Sequence, residues 1–253
     1  VKGENFAKTS IHRKHGLKNA IWYFSPFDEE KGSHRFNPLA RIAALPSAQS
    51  QFTALNTMAD LFLIPEGESA QSFFNAGKRL FIASCLYAIE QGRPTLGYAA
   101  EIMAGGGNKV RSFTTIAETT QIPIVSRTFL EMSDVNEKTL GSYVSIIQGS
   151  GLGLWNDPAV DRVTSASDFD FSTFRREAQS LYIVVQPEHL KTLAPLVRLL
   201  FADAIASLQR KEPGSDEPHA VMFLMDEFDQ LGRQPLVLSS IKTIRSFGGR
   251  FFI

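Results

Sequence analysis

The chain has 253 residues, 43% of them hydrophobic and 21% charged, an ordinary globular composition that excludes disorder and coiled coil. Its 26 lysines and arginines balance 26 aspartates and glutamates, so no whole-chain field favours nucleic acid or a membrane surface. A single cysteine, Cys85, excludes a disulfide framework and a multi-cysteine metal site, and no uninterrupted apolar run approaches the roughly 18 residues of a spanning helix.

These features lead to the expectation of a soluble domain from a reducing compartment, without a signal peptide. Both ends read as cut: the chain opens Val1-Lys2-Gly3-Glu4 and closes on Gly249-Arg250-Phe251-Phe252-Ile253, which has the look of mid-strand. Charge divides it further. Residues 1–48 carry eight basic and four acidic side chains, residues 49–165 eight and eleven, and residues 166–253 ten and eleven.

In chain order, Ala20-Ile21-Trp22-Tyr23-Phe24 is the first strand, left through Ser25-Pro26. Phe36-Asn37-Pro38-Leu39 marks a turn, because proline disfavours helix at the residue before it. The middle segment is helical almost throughout. Phe73, Gly77, Leu80, Phe81, Ser84 and Ala88 share one helix face, Thr95 suits an N-cap, and Gly105-Gly106-Gly107 ends that helix. Further helices are expected near 112–120, 123–132 and 136–149, with a short one opened by Asp157-Pro158.

The last segment alternates. Ser180 to Val185 is a run of the buried parallel-strand type, followed by a helix from Leu190 to about Gln209. Lys211 to His219 is charged and turn-rich. Ala220 to Met225 is a second buried strand, Pro235 to Ser246 a helix, and Arg250 begins a third strand. The pattern is an α/β parallel sheet interrupted by an inserted helical domain.

Met222-Phe223-Leu224-Met225-Asp226-Glu227 is the hexapeptide richest in chemistry. A strand of this kind delivers two acids to the carboxyl edge of the sheet, where open α/β sheets bind ligands. Asp226 there suits a Mg²⁺ ion as a Walker B acid, and Glu227 suits the attacking water of a nucleotide triphosphatase. The plainer alternative is that Asp-Glu opens a helix. No Gly-x-x-x-x-Gly-Lys-Ser/Thr phosphate loop occurs in the sequence. Gly105-Gly106-Gly107-Asn108-Lys109 has the wrong spacing, and Gly149-Ser150-Gly151-Leu152-Gly153 closes a helix.

Val1-Lys2-Gly3-Glu4-Asn5, Phe36-Asn37-Pro38-Leu39, Leu181-Tyr182-Ile183-Val184-Val185 and Met222–Glu227 with Leu231-Gly232 occur in one order. That order resembles the type IV secretion coupling proteins, the TraG/TraD-like conjugation ATPases, over nearly the whole chain.

The resemblance implies an incomplete RecA-like P-loop NTPase core, residues 1–48 and 166–253, with an all-alpha substrate-recognition domain, residues 49–165, inserted. It places the lysine-glycine-glutamate stretch on a motor strand just after the Walker A helix, and so puts the phosphate loop upstream of Val1. It also implies ATP and Mg²⁺ as ligands of the whole protein, a hexameric ring and an anchor in the bacterial inner membrane. Cargo would be secreted effector proteins or relaxase–DNA complexes, with single-stranded DNA as a further partner, passed to other secretion-system components. Arg245, nineteen residues after Asp226, resembles the family's arginine finger, with Arg250 as the fallback. This chain alone is expected not to hydrolyse ATP.

Within the helical segment, the loops around 64–70 and 104–110 offer Glu66, Glu68, Asn108 and Lys109 as substrate-recognition residues, since loops on a rigid scaffold commonly carry recognition. An FtsK/HerA-like DNA-translocating ATPase without protein recruitment is the rival reading, and the long helical insertion counts against it. His12-Arg13-Lys14-His15 lacks a third metal ligand and reads as a solvated helix face. With Lys8 and Lys18 it would add a basic surface if the parent moves DNA. Cys85, Phe73, Phe74 and Phe81 are expected in the core, and Glu188 and His189 as helix-capping residues.

Overall fold

The computed structural model describes residues 3–65, 71–225 and 235–252. It forms two compact units, one of residues 1–36 with 167–253 and one of residues 37–166. The sequence reading set the first boundary at 48/49. The turn it recognised at Asn37-Pro38 is the crossing itself. On one side, Phe36 stacks on Phe169 with ring centroids 6.0 Å apart, inside the first unit. On the other, the Asn37 amide donates to the Pro94 carbonyl at 2.8 Å, inside the second.

The first unit opens with helix α1, Gly3–Ile11, running into a π-helical turn, His12–Gly16. This corrects the expected strand around Gly3-Glu4. The stretch has no apolar alternation to make a half-buried strand, and its aromatic, Phe6, packs on Tyr23 and Tyr182 at 4.6 and 5.1 Å. The π-turn is exposed throughout, in keeping with a solvated basic face.

Strand β1, Ala20–Phe24, pairs in parallel with β2, Gln179–Ile183, in the register Trp22 opposite Leu181. Trp22 Nε1 donates to Gln179 Oε1 at 2.7 Å, and Asn19 Nδ2 to Ser180 Oγ at 2.8 Å, so side chains lock this register as well as the ladder. Beyond β2, α10 runs Leu190–Gln209 with twelve buried side chains. Its segment Pro187–Gln209 is long and apolar enough to cross a membrane by length and composition, with a mean hydropathy of 1.3, but most of it is buried inside the unit. Counting uninterrupted apolar runs missed it because Lys191, Arg198 and Asp203 interrupt the sequence.

Strand β3, Val221–Leu224, pairs in parallel with β4, Gly249–Phe252. Helix α11, Pro235–Ser240, ends before a 3-10 turn, Ile244–Phe247, so the helix expected to Ser246 is broken. All the pairings are parallel, as expected, but the described strands form two two-stranded ladders, β1–β2 and β3–β4. Apolar runs mark strands; they do not say which strand lies beside which.

The burial of β3 also differs from expectation. Phe223 is buried against Phe201 and Phe251, whereas Met222 and Leu224 are 63% and 59% exposed. The strand is covered on one face, not two, among the described residues. Strand β2 is likewise buried only at Tyr182.

The second unit is all helical. Its elements are α2 (Ala40–Ala43), α3 (Ala48–Phe62), α4 (Gln71–Glu90), α5 (Leu96–Ala104), α6 (Lys109–Thr119), α7 (Pro123–Ser133), α8 (Glu137–Gly149) and α9 (Pro158–Val163). Local chemistry sets their ends. The Thr95 hydroxyl accepts from the Tyr98 amide, Asp157 accepts from the Ala159 amide ahead of Pro158, and Gly105 ends α5 at φ 73°.

Helix α4 is the centre of this unit, with Leu80, Phe81, Cys85, Leu86 and Ala88 all at 0% exposure. Phe74 is buried too. Phe73, expected in the core, is 41% exposed and lies against Tyr143 instead, because it falls just off the buried stripe. Gly77 lets α4 meet α8: a Cβ there would stand 2.7 Å from both the Tyr143 carbonyl oxygen and Ile147 Cγ1. Gly77→Ala gains about 1 kcal/mol in helix propensity but must displace a backbone carbonyl, an overpacking cost of about 1–3 kcal/mol. Net destabilisation is the expected result, read as a lower midpoint of thermal unfolding; an unchanged or raised midpoint contradicts the close approach.

Candidate functional site

The β3–β4 ladder builds the edge that matters. Phe223 and Met225 point inward, at 7% and 5% exposure, and the Met225 amide donates to the Phe252 carbonyl at 2.9 Å. The ladder is therefore intact up to the residue before Asp226. Asp226 and Glu227 themselves lie outside the described residues, as do Glu66 and Glu68. A carboxylate following a buried parallel strand is a hard oxygen donor of the kind Mg²⁺ takes. Among the described residues, no group of three or more metal-ligating side chains gathers elsewhere.

Arg245 stands on the 3-10 turn, with its side chain exposed, while its neighbour Ile244 is 1% exposed and anchors the turn. The turn closes through Gly248 at φ 77°, whose amide donates to the Arg245 carbonyl at 3.1 Å. Its exit is tied to the ladder, because the Val221 amide donates to the Gly248 carbonyl at 2.9 Å. Arg245 thus sits at the amino end of β3 and β4. The four-residue strand β3 separates that end from Met225 by about 13 Å at ~3.3 Å per residue. Arg250 is exposed in mid-strand, opposite Met222.

The carboxyl ends of β1 and β2 form a second edge, with a cavity of about 180 Å³ lined by Tyr23, Asp28, Lys31, Gln186 and His189 among others. No sequence motif pointed to it. Two of its polar groups are engaged with each other: the Tyr23 hydroxyl donates to Asp28, and the Lys31 amide donates to the same carboxylate at 3.0 Å. These bonds, the hydroxyl's first, hold Asp28 below the usual carboxylate range. His189 packs on Phe27 at 4.8 Å and makes no side-chain cap on α10, which corrects its expected capping role.

In the helical unit, Asn108 is the N-cap of α6, its Oδ1 accepting from the Arg111 amide at 3.0 Å. Lys109 folds its stem over Gly105. Both residues of the candidate recognition loop thus also hold the α5–α6 turn. A groove of about 300 Å³ between α3, α4 and α7 is floored by Ile82, Ala83 and Ile124 and edged by Lys78, Arg79 and Arg127. Sequence reading missed it, because helix pairing brings these residues together. Lys78 pairs with Asp60 and Arg79 with Glu131, so the rim is nearly neutral.

A parallel-stranded α/β unit with a separate all-helical unit spliced into its chain is an incomplete RecA-like P-loop core with an all-alpha insertion. The fold is that of TrwB. The structure of the plasmid coupling protein TrwB in complex with ADP and Mg²⁺ superposes with a TM-score of 0.57 at 12% identity, covering 95% of this chain and 58% of that one.

The chain belongs to the family described as type IV secretory system conjugative DNA transfer, which matches residues 1–253. It is 41% identical to Protein VirD4 of Agrobacterium fabrum over 251 residues, 99% of this chain and 37% of that protein. It is 26% identical to the conjugal transfer protein TraG of Escherichia coli over 273 aligned residues, 100% of this chain and 42% of that protein. The chain therefore spans well under half the length of these relatives.

Proposed function

We propose that this chain is the motor and recruitment portion of a type IV secretion coupling ATPase, which selects effector proteins or relaxase–DNA complexes and delivers them to the secretion channel. The observation that carries the reading is the β3–β4 ladder, which runs in register up to Met225, the residue that precedes Asp226-Glu227 in the sequence, in a chain of this family. Asp226 would hold Mg²⁺ and Glu227 would take the proton of the attacking water; the metal, when bound, neutralises phosphate charge. The nucleotide's phosphate cradle would come from outside this sequence, so this chain alone should not turn over ATP.

Arg245 acts on a neighbouring subunit. It lies at the opposite end of the strands from Met225, too far to serve its own site and exposed enough to serve another. That requires a ring, a hexamer in this reading, held at the bacterial inner membrane with both units on the cytoplasmic side.

Cargo selection belongs to the helical unit, with Glu66, Glu68, Asn108 and Lys109 as candidate contacts. The test is binding at physiological salt, with labelled effector tails and single-stranded DNA measured in parallel against the chain and a version lacking residues 37–166. Saturable tail binding lost with the helical unit is the expected result. DNA binding alone, weakening steeply with salt, would overturn recruitment and leave a DNA pump.

A further inference from the structure

The stretch from Lys211 to His219 looks like a solvated loop in sequence, yet Glu217 is 5% exposed and pairs with Arg175, itself 2% exposed, at 3.1 Å. Burying an ion pair is costly unless the remaining donors and lone pairs are met. Here most are met, and of the pair's polar atoms only the buried Arg175 Nε has no hydrogen-bond partner among the described residues. Arg175 Nη1 donates to three carbonyls: Leu208 at 3.2 Å, Lys211 at 3.0 Å and Phe247 at 2.8 Å. Glu217 also accepts from the Gly214 amide at 3.2 Å and lies 3.3 Å from Lys211 Nζ and 3.6 Å from Arg176 Nη2. Burial pushes the Glu217 carboxyl up, and the Gly214 amide, the Lys211 ammonium and the Arg175 guanidinium outweigh it, holding the carboxyl below its ordinary range.

The three carbonyls belong to different pieces of the unit. Leu208 is in the last turn of α10, Lys211 is in the loop that follows, and Phe247 is the last residue of the 3-10 turn that carries Arg245. An apolar side chain would fill the same space without a directional bond to any of them. The two hydrogens of Nη1 are shared among the three carbonyls while Nη2 of the same planar group faces Glu217, so one rigid plane ties all three to the carboxylate.

We infer that Arg175, braced by Glu217, is a positioning residue for Arg245, setting the 3-10 turn against α10 so that the Arg245 side chain is presented outward at a fixed place. This rests on the reading of Arg245 as a residue that acts on a neighbouring subunit. Little slack is tolerated in such a role, since misplacing a reacting group by about 1 Å can cost about 10²-fold.

The experiment uses the full-length protein. Arg175→Lys keeps a cation beside Glu217, but one ammonium cannot meet the three carbonyls and the carboxylate together from two nitrogens of one rigid plane. Its ATP turnover number should fall by about 30-fold, with KM for ATP held within about twofold, because the lost interaction belongs to the transition state. Mixed assemblies then separate positioning from folding. Arg175→Lys subunits mixed with Glu227→Gln subunits should regain activity, because the latter supply a well-placed Arg245. Mixed with Arg245→Ala subunits they should not.

Recovery in both mixtures, in neither, or unchanged turnover by Arg175→Lys overturns the inference. Full turnover by Arg245→Ala alone overturns instead the reading on which it rests. If Arg175→Lys does not assemble, Glu217→Gln, which removes the bracing charge while keeping a hydrogen-bonding side chain, carries the same pair of mixtures and the same outcomes.

Discussion

Glu227→Gln in the full-length protein should lower the ATP turnover number by about 10²–10⁴-fold while nucleotide still binds, the size expected when a general base is neutralised. The magnitude distinguishes the two readings of Asp226-Glu227. If the pair merely opened a helix, its charge would be worth about 0.3–1 kcal/mol, and turnover would change by less than about tenfold. The companion change Asp226→Asn should fail differently. Removing the carboxylate that holds Mg²⁺ should weaken the metal-dependent part of nucleotide binding as well as turnover, so KM rises where Glu227→Gln leaves it alone. Turnover of Glu227→Gln within about threefold of the parent would remove Glu227 from the chemistry.

What the sequence could announce, and what it could not, follows from the range of each interaction. Caps and breakers act within one turn of chain, so Thr95, Gly105 and Asp157-Pro158 were legible, and the helices they bound stand where expected. Strands were legible as apolar runs, but their neighbours were not. β2 lies beside β1, about 160 residues earlier, through contacts such as Trp22 to Gln179 that no local pattern encodes. Burial by face was misread for β3, because four consecutive apolar residues cannot say which of them will be covered.

The site shows the same division. Asp226-Glu227 could be singled out because strand and acids are contiguous in the sequence. Arg175 and Glu217 were passed over because they lie 42 residues apart, in stretches whose charge reads as solvent-facing, and only the fold buries both. The Arg245 turn illustrates a third case. The residue was picked out by resemblance, but its position at the amino end of the strands, which is what argues for action on a neighbour, appears only once β3 and β4 are paired in register.

That position makes the largest prediction of the two-subunit site. Arg245→Ala should reduce ATP turnover by about 10³-fold or more, the scale on which an arginine finger stabilises phosphoryl-transfer charge. An exposed cation favouring only a helix end would be worth about 0.3–1 kcal/mol, and the four-residue 3-10 turn that bears Arg245 offers little dipole to favour. The decisive observation comes from mixing two inactive proteins. In a ring where each site takes Glu227 from one subunit and Arg245 from the next, an equal mixture of Arg245→Ala and Glu227→Gln subunits completes about a quarter of the interfaces at random. Activity should therefore reappear in the mixture, approaching about a quarter of the parent's if sites fire independently and less if they must fire in concert. An arginine acting on its own subunit's nucleotide predicts none, since neither subunit then carries both groups. A mixture no more active than the sum of its parts, from subunits shown to co-assemble, would place Arg245 outside the neighbouring site and leave Arg250 as the residue to test.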